Sequence, residues 1–254
     1  MLTQTSRKRQ GMTTTFNGSK LILFIGERLV ILGRDHTPGI PWPGYLDLPG
    51  GGREGDESPE TCALRETCEE TGLWLEPSQL VWRRALDRDT GRIWFFAAHL
   101  PEEAKDDIVF GDEGLGWWLM KASDVIAEPM MIPHFADHIR LYLGRDAPQK
   151  PRITCRRPAP EQGGMTISLW TFALLERTIR DVLGQTGGGG LVSDALTAQV
   201  TQRLLPEERS ALGSVSQQVM HVRLELEVRG TLRRLDAPGL PRLVLSDQAA
   251  VRRV

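Results

Sequence analysis

The stretch from Gly51 to Leu73 (GGREGDESPETCALRETCEETGL) constrains this chain more than any other. Ser58 before Pro59 joins a good N-cap to the residue best tolerated at the first helical position, and Gly72 is a natural left-handed stop. About three and a half turns of helix fit between them. On that helix Glu66, Glu69 and Glu70 stand at i, i+3 and i+4, so their carboxylates share one face. Ala63, Leu64, Thr67 and Cys68 fall on the flank away from it and are expected to pack on a sheet.

Like charges at this spacing destabilise a bare helix by a few tenths of a kcal/mol per pair. A solvated acidic face normally mixes in lysine, yet this one sets Glu60, Glu66, Glu69 and Glu70 against Arg65 alone. A divalent ion removes the repulsion, because clustered carboxylate oxygens are what magnesium or manganese takes as ligands. Immediately upstream, Gly50, Gly51 and Gly52 allow a tight bend and a close approach of backbone to a phosphate.

Gly51, Glu57, Arg65, Glu66, Glu69, Glu70 and Gly72 together resemble the signature of the Nudix hydrolases, G-x5-E-x7-R-E-U-x-E-E-x-G-U with U apolar. All seven fixed identities are present, a coincidence of roughly 10⁻⁹ per starting site at about one in twenty per position. One departure is Thr67 at the first U, polar at one end. The resemblance implies an enzyme, a metal-dependent pyrophosphohydrolase, with Mg2+ (or Mn2+) as cofactor and a nucleotide-type substrate. It makes Glu69, Glu70 and the Gly50 carbonyl metal ligands, and Glu66 either a ligand or the base that deprotonates the attacking water. Arg65 would orient the carboxylates, Glu57 would support the loop through a salt bridge to Arg65, and Gly51 and Gly52 would face the phosphates. Many members of the family add an acid from a later loop. Glu113 in Phe110-Gly111-Asp112-Glu113-Gly114 is the candidate, with Asp112 as substitute, against the plainer reading of a turn with solvated acids. Trp117, with Trp42, Tyr45 and Trp118, offers a ring for a nucleobase, or else a place in the core.

Around this helix the sequence reads as α/β. Leu21 to Ile25 and Leu29 to Leu32, separated by Gly26-Glu27-Arg28, suggest a hairpin. Arg92 to Leu100 and Trp117 to Met120 suggest further strands, and Phe135, Ile139 and Leu143 carry helical spacing. The expected architecture is a Nudix-type α/β/α sandwich with a mixed sheet over 20–144, after a tail at 1–19. Arg145 to Gly164, with Pro148, Pro151, Pro158 and Pro160, reads as a linker.

Charge separates the two halves. Residues 1–144 carry 15 Lys and Arg against 22 Asp and Glu, a net of −7, whereas 145–254 carry 16 against 11, a net of +5. A basic half hints at nucleic acid. Within 165–254, Leu169 to Leu183 and Ser193 to Leu205 have helical periodicity, with Ser193 as a cap. Val215, Val219, Val222 and Leu226 form a third stripe closing at Gly230, capped by Ser214 or Ser216. Met220 to Val228 also alternates as a strand would, but the helix is favoured by those caps. Thr231 to Ser246 reads as a hairpin. The whole resembles a small winged helix-turn-helix, whose DNA contacts would come from Gln217, Gln218, His221, Arg233 and Arg234.

Three cysteines, Cys62, Cys68 and Cys155, lack CxxC spacing, so neither a disulfide framework nor a zinc site is indicated. With no apolar leader after Lys8 and Arg9 and no membrane-length apolar run, a cytoplasmic protein is expected. The leading reading is a metal-dependent hydrolase of the diphosphate linkage in a nucleoside diphosphate derivative, leaning towards a nucleoside triphosphate. The alternative is a transcriptional regulator sensing ADP-ribose-type nucleotides and binding DNA through the second half. A third is an active enzyme whose second half docks a partner or forms a homodimer.

Overall fold

A computed structural model describes residues 15–88, 91–159, 161, 163–235 and 239–246. In chain order the strands are β1 Gly18–Ile25, β2 Arg28–Gly33, β3 Leu46–Asp47, β4 Trp82–Arg88, β5 Gly91–Leu100, β6 Gly116–Lys121, β7 Arg152–Cys155, β8 Met165–Ser168, β9 Leu232–Leu235 and β10 Arg242–Leu245. The α-helices are α1 Pro59–Thr71, α2 Ala122–Ala127, α3 Pro133–Leu143, α4 Leu169–Gly184, α5 Ser193–Arg203, α6 Pro206–Leu212 and α7 Val215–Val228. They fall into two compact units, one from 1–30 and 48–112, the other from 31–47 and 113–254.

In the first unit β1 is the central strand. It pairs antiparallel with the start of β2 and parallel with β5 along its whole length, and β5 pairs antiparallel with β4. A strand flanked on both sides and covered on both faces should be apolar throughout, and Leu21, Ile22, Leu23 and Ile25 are fully buried. The hairpin from Leu21 to Leu32 turns through Gly26 at φ 57°, a conformation costly for any side chain. Gly18 and Ser19, expected in the tail, belong to β1, because Gly18 pairs with Ile93 and bridges to Gly52. Residues 1–14 of that tail lie outside the described residues.

Helix α1 packs on β1 and β5. Its buried residues are Cys62, Ala63, Thr67 and Thr71, whereas Leu64 and Cys68, expected on that flank, are only half-buried. The face is the i, i+4, i+8 row of small residues 63, 67 and 71, which lets the helix lie close to the strand.

In the second unit the end of β2 pairs antiparallel with β3, and β6 pairs with β2. Phe135 and Ile139 are buried on α3 as their spacing predicts. The stretch read as a linker contains β7, paired antiparallel with β8 from Arg152↔Ser168 to Cys155↔Met165. The prolines bracket this strand rather than interrupt it, and Ile153-Thr154-Cys155 between them are good strand formers.

Helices α4, α5 and α7 pack together around Leu175, Ile179, Leu196, Val200, Val219, Val222 and Leu226. Residues 215–228 are helical, as the stripe at 215, 219, 222 and 226 requires, so the rival strand alternation is not realised. Two caps differ from expectation. Ser193 is the first residue inside α5, after Val192, and Ser214 stands at the N-cap of α7 without a capping hydrogen bond. An additional short helix, α6, begins at Pro206, where Glu208 accepts from the Leu205 N–H at 2.9 Å. The chain then turns into β9 and β10, paired from Leu235↔Arg242 to Leu232↔Leu245; residues 236–238 of the expected hairpin turn lie outside the described residues. The three cysteines are free. Among the described residues no helix is long and apolar enough to cross a membrane.

Candidate active site

The site is built where β1, the glycine loop and α1 meet in the first unit. The Ser58 hydroxyl accepts from the Thr61 N–H at 3.1 Å, Pro59 opens the helix, and Gly72 closes it at φ 70° with its N–H on the Cys68 carbonyl. Thr67 fits its apolar surroundings because its hydroxyl donates to the Ala63 carbonyl at 2.7 Å, leaving the methyl to pack. The helix is thereby fixed at both ends and its acidic face is aimed at residues 50–52.

That loop lies against β1 through hydrogen bonds from Ser19 N–H to the Gly51 carbonyl at 3.0 Å and from Leu21 N–H to the Pro49 carbonyl at 2.8 Å. Gly50 has φ 124°, and a Cβ there would run into the Ser19 carbonyl; a Cβ on Gly51 would run into the Glu66 carboxylate. Gly50 is therefore required by conformation and by close approach, and Gly51 by the carboxylate packed against it.

Arg65 ties the assembly together. Its Nε and Nη2 grip the two oxygens of Glu57 at 3.1 and 2.9 Å, Nη2 reaches the Gly52 carbonyl at 3.0 Å, and Nη1 donates to Glu69 at 2.9 Å. Glu66 lies 3.0 Å from the same guanidinium. The Arg65 fork holds the Glu57 carboxyl down at about 2, so Glu57 is a fixed anion. Burial pushes the Glu66 carboxyl above its ordinary value against the opposing pull of Arg65. Glu70 accepts from the Gly50 N–H at 2.7 Å.

Three carboxylates and a backbone carbonyl are the oxygen donors that a hard divalent cation takes. They are brought to one side of the loop, but each is held by a protein partner, and among the described residues no three His, Cys, Asp or Glu side chains converge on one point. The residue that sequence reasoning missed is Lys20. Its ammonium donates to the Leu48 carbonyl at 3.2 Å and to the Gly50 carbonyl. A single charged residue opening the apolar run of the strand GSKLILFI was the available signal.

The remaining candidates take no part in these contacts. Asp112 is exposed at the end of the first unit, and Glu113 is exposed in the second. Trp42 and Tyr45 are core residues of the second unit, 4% and 2% exposed, with their rings edge-to-face at 4.9 Å. The burial that makes them good core residues removes them as stacking platforms. On β6 in the same unit, Trp117 is half-buried, and the exposed Trp118 ring covers Gly33.

A family model described as the NUDIX domain matches residues 18–140. Residues 18–140 are a NUDIX domain. With every box residue in place, it is the domain of a pyrophosphohydrolase. A second model, a family of unknown function (DUF6958), matches residues 152–241. No curated protein matches the chain. Among solved structures, the chain is similar to the MutT protein of Methanosarcina mazei, at 17% identity and TM-score 0.43, over 52% of this chain and 95% of that one. It is similar also to an Ap4A hydrolase of C. elegans, at 18% identity and TM-score 0.41, over 50% and 95%. A third likeness is the E. coli dihydroneopterin triphosphate pyrophosphohydrolase, at 16% identity and TM-score 0.39, over 50% and 97%.

Proposed function

We propose that the NUDIX domain hydrolyses the diphosphate linkage of a nucleoside diphosphate derivative, with a modified or ordinary nucleoside triphosphate as the leading substrate class and magnesium or manganese as the ion. One observation carries this reading: Glu66, Glu69 and Glu70 line one face of α1 beside the Gly50–Gly52 backbone, and Arg65 locks that face to the loop.

Glu69, Glu70 and the Gly50 carbonyl would hold the ion. When bound, it offsets the charge of the diphosphate oxygens and of the departing phosphate. The chain supplies the rest. Arg65 keeps the carboxylates in place, with Glu57 as its fixed counter-charge. Glu66, half-buried and with a raised affinity for a proton, accepts the proton of the attacking water. Gly51 and Gly52 bring peptide groups, without side chains, to the phosphates.

The experiment is release of phosphorylated products from a nucleotide panel with magnesium or manganese. Turnover of at least one member is expected, falling at least about a hundredfold in Glu70→Gln, since even residues behind the ligands contribute about 10- to 100-fold. No turnover on any member, or undiminished turnover in both Glu69→Gln and Glu70→Gln, overturns the reading.

For the second half, the order α4, α5, α7, β9, β10, with α6 interposed, supports the winged-helix reading, but nothing favours the DNA-binding regulator. Arg234 is tied to Glu227 at 2.7 Å, and the buried Glu225 faces Arg156 and Arg229. The family matched there carries no stated function.

A further inference from the structure

Lys20 is a buried charged group at the site that the proposed chemistry leaves without a role. It stands in β1, where every residue is buried, and it is itself only 8% exposed. Burying an ammonium is costly unless oxygen ligands replace its water. Here they do: the Leu48 and Gly50 carbonyls accept from it, and its charge acts on Glu66. The Gly50 carbonyl is the same backbone oxygen assigned to the divalent ion. Its lone pairs can serve two donors, but two cations on one oxygen repel each other in a partly buried site.

We propose that Lys20 is a resident cation that competes with the divalent ion for the Gly50 carbonyl and for the field of Glu66, and so sets the metal affinity of this site. The proposal rests on the metal-dependent reading given above. In the metal-free protein the ammonium balances the acidic face and holds the loop against β1. The ion binds at the expense of that contact. The site therefore takes up metal at a higher concentration than its carboxylates alone would need.

The test is Mn2+ binding to the full chain without nucleotide, followed by electron paramagnetic resonance of the free ion, in wild type, Lys20→Met and Lys20→Gln. Removing a unit positive charge this close is expected to tighten Mn2+ binding by about tenfold or more. Lys20→Gln keeps an N–H donor for the carbonyls, so it separates loss of charge from loss of the tether. It is also the variant to read if Lys20→Met does not fold. Unchanged or weaker Mn2+ binding in a folded variant overturns the proposal and makes Lys20 a structural tether. No Mn2+ binding by wild type and variants alike overturns the metal reading, and this proposal with it.

Discussion

Arg65 does the work of several residues because a guanidinium is planar and carries five donors in a fixed fork. It grips both oxygens of Glu57, the Gly52 carbonyl and Glu69 at once, which no point-charge cation can do. Arg65→Lys is accordingly expected to lower kcat by about 10- to 100-fold, in the range found when groups that orient ligands are lost. The variant should fold, because α1 keeps its caps and its buried row. Unimpaired turnover in Arg65→Lys would show that the fork is idle. Thr67 makes a smaller point at the same scale. A polar residue at an apolar position is tolerated because its hydroxyl is satisfied one turn back, at the Ala63 carbonyl.

Helix α7 carries a buried carboxylate at Glu225, only 1% exposed, which accepts from the Arg156 backbone N–H at 2.7 Å, from the Arg156 side chain at 2.8 Å and from Arg229 at 2.7 Å. Burial raises its affinity for a proton, but the bonds to Arg156 and Arg229 outweigh that and hold the carboxyl at about 2, below its ordinary 4.5. A depressed carboxyl stabilises the folded state above its unfolded pKa and ceases to do so as pH falls through its folded one. Glu225→Gln is expected to cost about 2 kcal/mol at neutral pH, the scale of hydrogen bonds to a charged group. The difference from wild type should shrink as pH falls from 4.5 towards 2. Urea titrations at several pH values measure it, and a difference independent of pH would contradict the assignment. Among the elements, α1 was legible because its caps, its small-residue row and its acidic face are all local. The helix at 215–228 was legible because Gly230 closes its stripe. The core place of Trp42 and Tyr45 was one of the two readings their aromatic rings allow; by contrast, β7 was hidden among prolines. Lys20 was silent because its meaning comes from the Gly50 and Leu48 carbonyls laid beside it by folding.

At the scale of the molecule, neither unit is a continuous piece of chain. The second unit joins 31–47 to residues beyond 113. The Tyr45 hydroxyl donates to the buried Glu208 at 2.7 Å, and the Trp42 ring meets that of Trp170 edge-on at 6.3 Å. Residues 31–47 thus meet α4 and α6 within the second unit, on the far side of the proline-rich stretch. Tyr45→Phe removes one partner of a buried carboxylate and is expected to destabilise the protein by about 1–3 kcal/mol. The urea midpoint reads this, and an unchanged midpoint would show that the bond contributes nothing.

The parallel pairing of β1 with β5 bears on synthesis of the protein on the ribosome. Gly18 meets Ile93 and Ile25 meets Leu100, so the strand at the middle of the first unit lacks one neighbour until the chain has been made past residue 100. The β1–β2 hairpin and α1 emerge earlier, with one apolar strand edge uncovered. Such an edge invites mispairing. In a nascent chain the box is thus complete in sequence well before the sheet that supports it can close, and activity must wait for β5.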